Sequence, residues 1–417
     1  MKKRKIYFLL ALLYLMGTSY LFACTIFYAA RNNMVLSGNN EDCSDPNTFM
    51  TFYPSEAGKL GWVKFGFQNG FPQGGMNECG LFWDAASTPY MAMPYSEEYK
   101  EKYNGVLMQK VIEECSTTQE VVAVFEEYYC DDLYNAQYLI GDSTGTSIIV
   151  EGDEIFGSNE DFQVMTNFCQ SQYEPGNFPC WRYNTVKEML QNGDEISTVS
   201  FGWILSATHQ QGNYPTQYSN IYDNKNCIIY LFRNHNYEEY ITIDLSQELE
   251  KGFKDYNIPS LFSSVNMIYP DYEEVVNSTS VTFRWEGKAN CTYELYCSTD
   301  PGFSDCEPIL IESFDFIKTT TPGLNLLFSG IFISGFLGLL RKRVFLKLIP
   351  VFFVVFILLG CSQNSTSPSG DDIIEFSQTV ENLEPDTTYY WKLIAHSDAE
   401  SDFSSETVVY PFYTTGN

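Results

Sequence analysis

Cys24 is the residue whose type and setting offer the most chemistry, because of what precedes it. Lys2, Lys3, Arg4 and Lys5 open the chain, an apolar run extends from Ile6 to Met16, and a short stretch ends at Ala23. This is the pattern of a secretory signal peptide over residues 1–23, with Ala23 as the small residue at the cut. Cleavage behind Ala23 makes Cys24 the first residue of the mature chain, so that a thiol and a free α-amine share one residue. Such a cysteine attacks an acyl carbon while its own amine, with an ordinary pKa of about 7.7–8.0, takes the proton. The alternative is an uncut N-terminal anchor, in which no free amine forms.

Something must hold that amine. Asn32-Asn33 tolerates the positive φ of a two-residue hairpin loop, which pairs Arg31 with Met34 and places Cys24 opposite Glu41, next to Asp42. Asp42 is then the carboxylate within reach of the amine or thiol; the same spacing also suits an Asx turn closing the strand.

The elements around this hairpin are strands and helices in alternating groups. Strands are predicted at 24–30, 34–38, 134–140, 146–151, 218–222, 227–232 and 240–243. Helices are predicted at 106–115, 121–129 behind a Thr117/Glu120 capping box, 181–190 and 197–208. That order points to stacked layers rather than a parallel βαβ series. From residue 259 the composition shifts to Ser, Thr, Tyr and Glu with period-two runs at 280–285, 292–297, 387–396 and 407–413.

Between these runs lies an apolar region, Gly323 to Leu340 and Val344 to Gly360, divided by Arg341-Lys342-Arg343. Two spans turned at a basic triplet predict a transmembrane hairpin over 323–360, and two buried core helices are the alternative. A junction of two reading frames also fits. Leu358-Leu359-Gly360-Cys361-Ser362 resembles a lipoprotein processing box, with Cys361 as the lipidation candidate and a Ser-rich tether over 361–370.

Composition excludes several classes. The 417 residues are 44% apolar and 16% aromatic, which suits two or three folded domains. Lys and Arg number 24 against 53 Asp and Glu, a net charge of −29 that repels nucleic acid. The three histidines, His209, His235 and His396, are too scattered for a HExxH site, and no CxxC spacing suggests zinc. No metal or other cofactor is expected. With Cys24 and Cys361 set aside, ten of the twelve cysteines remain, an even number that suits disulfides in an exported protein. Cys169 with Cys180, and two among Cys291, Cys297 and Cys306, are the expected pairs by proximity.

Ordered blocks carry a family resemblance: Cys24-Thr25-Ile26-Phe27, Gly38-Asn39-Asn40-Glu41-Asp42, Gly75-Met76-Asn77-Glu78-Cys79-Gly80-Leu81, Gly141-Asp142-Ser143 with Ile148-Ile149-Val150-Glu151, and Met165-Thr166-Asn167-Phe168. Together they resemble the choloylglycine hydrolase and penicillin acylase-like N-terminal-nucleophile hydrolases over most of residues 24–245. The resemblance implies an α+β fold, a four-layer αββα sandwich over 24–258, and cleavage of linear, non-peptide amides. It makes Cys24 the nucleophile and base, Asp42 the carboxylate orienting the amine, and Asn167 an oxyanion donor. Asn39 stands where the bile-salt and penicillin enzymes have Arg, and Ser87 where they have Asn. These two join Asn77 as substrate-binding or oxyanion candidates, although Asn77 suits a turn better. Thr216-Gln217-Tyr218-Ser219 is closer to the acyltransferase-type branch, so acyl transfer competes with hydrolysis.

Val281-Thr282-Phe283-Arg284-Trp285, Tyr293-Glu294-Leu295-Tyr296 and Leu383-Glu384-Pro385-Asp386-Thr387-Thr388-Tyr389-Tyr390-Trp391 resemble strands of a fibronectin type III sandwich, built from 259–316 and 371–417 and interrupted by the apolar hairpin. The expectation is an exported, periplasmic or cell-surface bacterial protein held at the membrane, acting on a small acylated amine or amino acid. A surface partner for the fibronectin-like module is also expected. The competing class is a surface-binding lipoprotein on a degenerate hydrolase scaffold.

Overall fold

The computed structural model describes residues 24–67, 72–193, 195–304, 306–311, 372–397 and 403–416. The signal peptide, the apolar hairpin, Cys361 and the Ser-rich tether lie outside the described residues. Among the described residues no helix is long and apolar enough to cross a membrane.

The fold is built outward from one hairpin. Strand β1 (Thr25–Arg31) pairs antiparallel with β2 (Met34–Asp42) from Arg31↔Met34 through Thr25↔Asn40. Asn32 and Asn33 turn the corner at φ 51° and 66°, the left-handed pair that a tight hairpin loop requires. One step beyond Thr25, Cys24 faces Glu41, as the loop spacing predicts. Alternation then divides the hairpin: Cys24, Ile26 and Tyr28 enter the core between two sheets, while Phe27 and Ala29 face an outer helix layer.

The first sheet places β1 and β2 next to its edge strand Phe162–Met165, with Thr216–Asp223, Ile228–Arg233 and Asn236–Asp244 following on the other side. The second sheet runs from Glu154–Gly157 through Ser147–Glu151 and Ala136–Gly141 to β6 (Phe82–Ser87), β5 (Pro72–Asn77), β4 (Trp62–Phe67), β3 (Thr48–Tyr53) and Lys254–Asn257. Their facing sides bury Met50, Phe65, Phe82, Tyr218, Tyr222 and Ile241. Helices Leu107–Glu114 and Thr118–Glu127 cover the outside of the second sheet through Val111, Val121 and Phe125. Helices Trp181–Asn192 and Thr198–Thr208 cover the first through Val186, Phe201 and Leu205. The layers are therefore helix, sheet, sheet, helix.

The capping box expected at Thr117 forms, and the helix expected from Ser197 gains a cap from that residue. The Thr117 side chain accepts from Glu120 N–H while Glu120 accepts from Thr117 N–H, and Ser197 caps the helix at Thr198. The strand expected from Tyr134 begins at Ala136, because Asp131–Tyr134 forms a 3₁₀ turn.

The C-terminal residues form a two-sheet β-sandwich. Asn266–Tyr269, Val281–Lys288 and Ile373–Val380 make one sheet; Thr292–Ser298, Thr387–His396 and Tyr410–Thr414 belong to the other. Between them lie Phe283, Trp285, Tyr293, Trp391 and Leu393. The run expected over 407–413 divides into Ser404–Thr407 and Tyr410–Thr414, which pair with different stretches of Thr387–His396. Ile258, Leu261 and Phe262 still pack in the inter-sheet core, so the change of core falls between Phe262 and Val265.

The expected disulfides do not form among the described residues. Cys169 Sγ lies against the Pro89 carbonyl and Cys180 opens the helix Trp181–Asn192, so nearness in sequence does not bring the two sulfurs together.

Candidate active site

Five strand ends converge at one edge of the two sheets. β1 begins there with Cys24, β2 ends with Asp42, Phe162–Met165 runs out into Asn167, β6 ends at Ser87, and Thr216 opens the strand beside β2. Residues remote in sequence meet because antiparallel neighbours alternate which end they present.

Arg182, from the helix Trp181–Asn192, ties this edge together. Its Nη1 donates to the Cys24 carbonyl at 2.6 Å and to Thr25 Oγ1 at 2.7 Å, and its Nη2 donates to Asn167 Oδ1 at 3.0 Å. The same guanidinium lies 3.6 Å from Asp42 Oδ2. Asn167 in turn donates from Nδ2 to the Ser87 carbonyl at 3.1 Å, and the Ser87 hydroxyl lies at 3.4 Å. Asp42 also accepts from Gln210 Nε2 at 2.8 Å and from the Thr216 hydroxyl. Burial pushes the Asp42 carboxyl up to about 7, against the opposing pull of Thr216, Gln210 and Arg182.

On the inner face the surroundings are acidic. Cys24 Sγ contacts Glu41 Oε1 at 3.5 Å, and both residues are buried to 1% exposure or less. Asp84, from β6 in the opposite sheet, approaches the same group, with Asn39 beside it. Burial first, then Glu41, Asp42 and Asp84, hold the Cys24 thiol well above its ordinary range, while the backbone N–H of Asp42 opposes them. Burial and then Asp42 raise Glu41 to about 8, and burial and then Glu41 raise Asp84 strongly.

The structure thus brings together Cys24, Asp42, Asn167 and Ser87, with Asn39 on the inner face near Asp84. Asn77 stands apart. Its Nδ2 donates to the Ile112 and Cys115 carbonyls and its Oδ1 accepts from the Cys79 and Leu81 N–H groups, so it closes a turn and receives a helix end. Arg182 is an internal clamp. Sequence reasoning missed Gln210, Thr216 and Asp84 as site residues. The signal for Thr216 was its register opposite Asp42; Asp84 had none, because it arrives from the other sheet. Among the described residues no group of three or more His, Cys, Asp or Glu side chains is arranged to hold a metal ion.

No family model matches this chain. No curated protein matches it either. Among solved structures, a mutant of the conjugated bile acid hydrolase from Clostridium perfringens is similar at 18% identity and a TM-score of 0.43, covering 56% of this chain and 96% of its own. A second variant of that enzyme gives 19% and 0.46, with 56% and 97% covered. Penicillin V acylase from Agrobacterium tumefaciens gives 16% and 0.41, with 56% and 91% covered.

Proposed function

We propose that this chain is an amidohydrolase that cleaves a linear, non-peptide C–N bond of an N-acylated amine or amino acid through a thioester on Cys24. The observation that carries the reading is the Arg182 clamp. One buried guanidinium joins the backbone of Cys24 to Asn167 and Asp42, so the nucleophile, oxyanion donor and orienting carboxylate of this reading are fixed relative to one another. Thiol attack, loss of the amine and hydrolysis of the thioester by water are the steps that this set of groups supports.

In the same reading, cleavage behind Ala23 frees the Cys24 amine, the chain is exported, and residues 323–360 with Cys361 hold it at a membrane. The C-terminal sandwich is a fibronectin type III-like module. Two measurements test the reading. Mass spectrometry of the mature protein should find an unmodified N-terminal Cys24. Replacing Cys24 with Ser should lower kcat/KM on acylated amino acids by at least about 1000-fold. An acylated or uncut Cys24, or full activity in Cys24→Ser, would overturn it.

A further inference from the structure

We propose that a cavity between the layered part and the segment leading into the C-terminal sandwich is a binding site for a zwitterionic amino acid. It is separate from the edge that carries Cys24 and does not depend on Cys24 being a nucleophile. The cavity measures about 490 Å³, within the range of about 300–1,000 Å³ usual for small-molecule sites. Its walls include Arg233, His235 and Glu238, around the turn that joins Ile228–Arg233 to Asn236–Asp244, and Phe262, Ser264 and Val265 of the linking segment. None of the groups that Arg182 gathers at Cys24 lines it.

The turn re-aims the side chains at its base. Pairing of the two strands shifts between Phe232 and Arg233, and Asn234 and His235 then both take positive φ, 50° and 62°. Arg233 is half-buried, and among the described residues no hydrogen bond or ion pair reaches its guanidinium. Burial lowers its pKa, against the pull of Glu239. That carboxylate is already occupied by Ser263 N–H, Val265 N–H and the Ser405 hydroxyl. A partly desolvated cation whose N–H donors lack an acceptor calls for an anion, and the planar fork of a guanidinium fits a carboxylate with two parallel bonds.

The other two polar groups are acceptors. His235 is hydrogen-bonded to the backbone of Gln210 and stacks on His209 with ring centroids 4.8 Å apart, while its Nε2 is buried with no hydrogen-bond partner. Burial and then His209 lower its pKa, so the ring is neutral at pH 7. The Gln210 bond opposes that shift, as an accepting carbonyl does, which puts the proton on Nδ1 and leaves Nε2 as the acceptor. Glu238 Oε1 accepts from the Tyr410 hydroxyl at 2.7 Å, and Oε2 takes no bond among the described residues. A simple anion would suit Arg233 and set a negative charge beside Glu238; a simple amine would do the reverse. A zwitterion serves both, with its carboxylate on Arg233 and its ammonium toward His235 and Glu238. Phe262 and Val265 supply an apolar wall, which suits an aliphatic amino-acid side chain.

The test is isothermal titration calorimetry on the full chain carrying Cys24→Ala, which prevents turnover of an acylated probe. The probes are L-leucine, N-acetyl-L-leucine, which lacks the ammonium, and isoamylamine, which lacks the carboxylate. Leucine should bind one per chain with a Kd below about 1 mM, and the other two at least about 10-fold more weakly. Arg233→Gln should weaken leucine binding about 30-fold. Glu238→Gln should weaken leucine about 10-fold and leave N-acetyl-leucine unchanged, and it decides the matter if Arg233→Gln does not fold. No saturation by about 10 mM leucine, equal affinity for the three probes, or leucine binding unchanged in both variants overturns the proposal. So does leucine binding that is lost in Asn167→Ala and kept in Arg233→Gln, which would put the amino acid at the Cys24 edge.

Discussion

Arg182 holds four groups that come from three separate stretches of chain: the Cys24 carbonyl and the neighbouring Thr25 hydroxyl, the Asn167 amide oxygen and the Asp42 carboxylate. The planar guanidinium can do this because its donors point in fixed, divergent directions, and a lysine offers only a point charge. The partners are buried, so removing the cation leaves the Asp42 carboxylate without its charge partner and leaves several acceptors unsatisfied. Arg182→Met should therefore cost about 3–5 kcal/mol, measured by urea unfolding. Arg182→Lys should fall between the two, since an ammonium can serve Asp42 but cannot span to Asn167 as well. A loss below about 1 kcal/mol in Arg182→Met would show that the clamp is not what holds this edge of the sheets together.

At the scale of elements, the two sheets are also stitched at the far end of the β1–β2 hairpin from the site. Asn224 accepts from Ser37 of β2 and donates to the carbonyl of Gly80, in the turn between β5 and β6. Gly80 has φ +78°, and a Cβ there would fall 1.9 Å from the Asn224 carbonyl oxygen, which belongs to the backbone and cannot swing away. Gly80→Ala should destabilise the protein by more than about 2 kcal/mol in thermal or urea unfolding, and a neutral effect would mean that the turn can move without separating the sheets. This junction also shows what was legible beforehand. The β1–β2 register followed from Asn32-Asn33 alone, and the helix cap at Thr117 followed from Thr117 and Glu120, because hairpin loops and caps are local. β3 to β6 were not predicted: strands such as Trp62–Phe67 and Phe82–Ser87 are buried on both faces, so their residues do not alternate in polarity. The site was legible as far as it lay on the first hairpin. Arg182, Gln210 and Asp84 reach it only through packing between layers, which no local pattern records.

For the whole molecule, the question is whether the four-layer part and the C-terminal sandwich unfold together. Asn236–Asp244, the last strand of the layered part in the first sheet, pairs with Ser404–Thr407 through Glu239↔Thr407 and Tyr240↔Glu406, which makes the two parts share one continuous sheet. Glu239 sits on that seam, 2% exposed, and accepts from Ser263 N–H at 2.9 Å, Val265 N–H at 3.0 Å and Ser405 Oγ at 2.6 Å. Those donors lie on the linking segment and on the sandwich strand, so one carboxylate fixes both against the sheet. Burial raises its pKa, against the pull of these donors and of Arg233. Replacing Glu239 with Ala removes all three bonds and strands two buried backbone N–H groups, at a cost of about 2–4 kcal/mol. That loss falls on the seam rather than within either core. Calorimetry should therefore show one transition in the parent protein and two in Glu239→Ala, the lower one belonging to the sandwich. A single transition that merely shifts downward would instead place the cooperative link in the two strand pairs themselves. The sandwich would then be an extension of the first sheet rather than a module docked onto it.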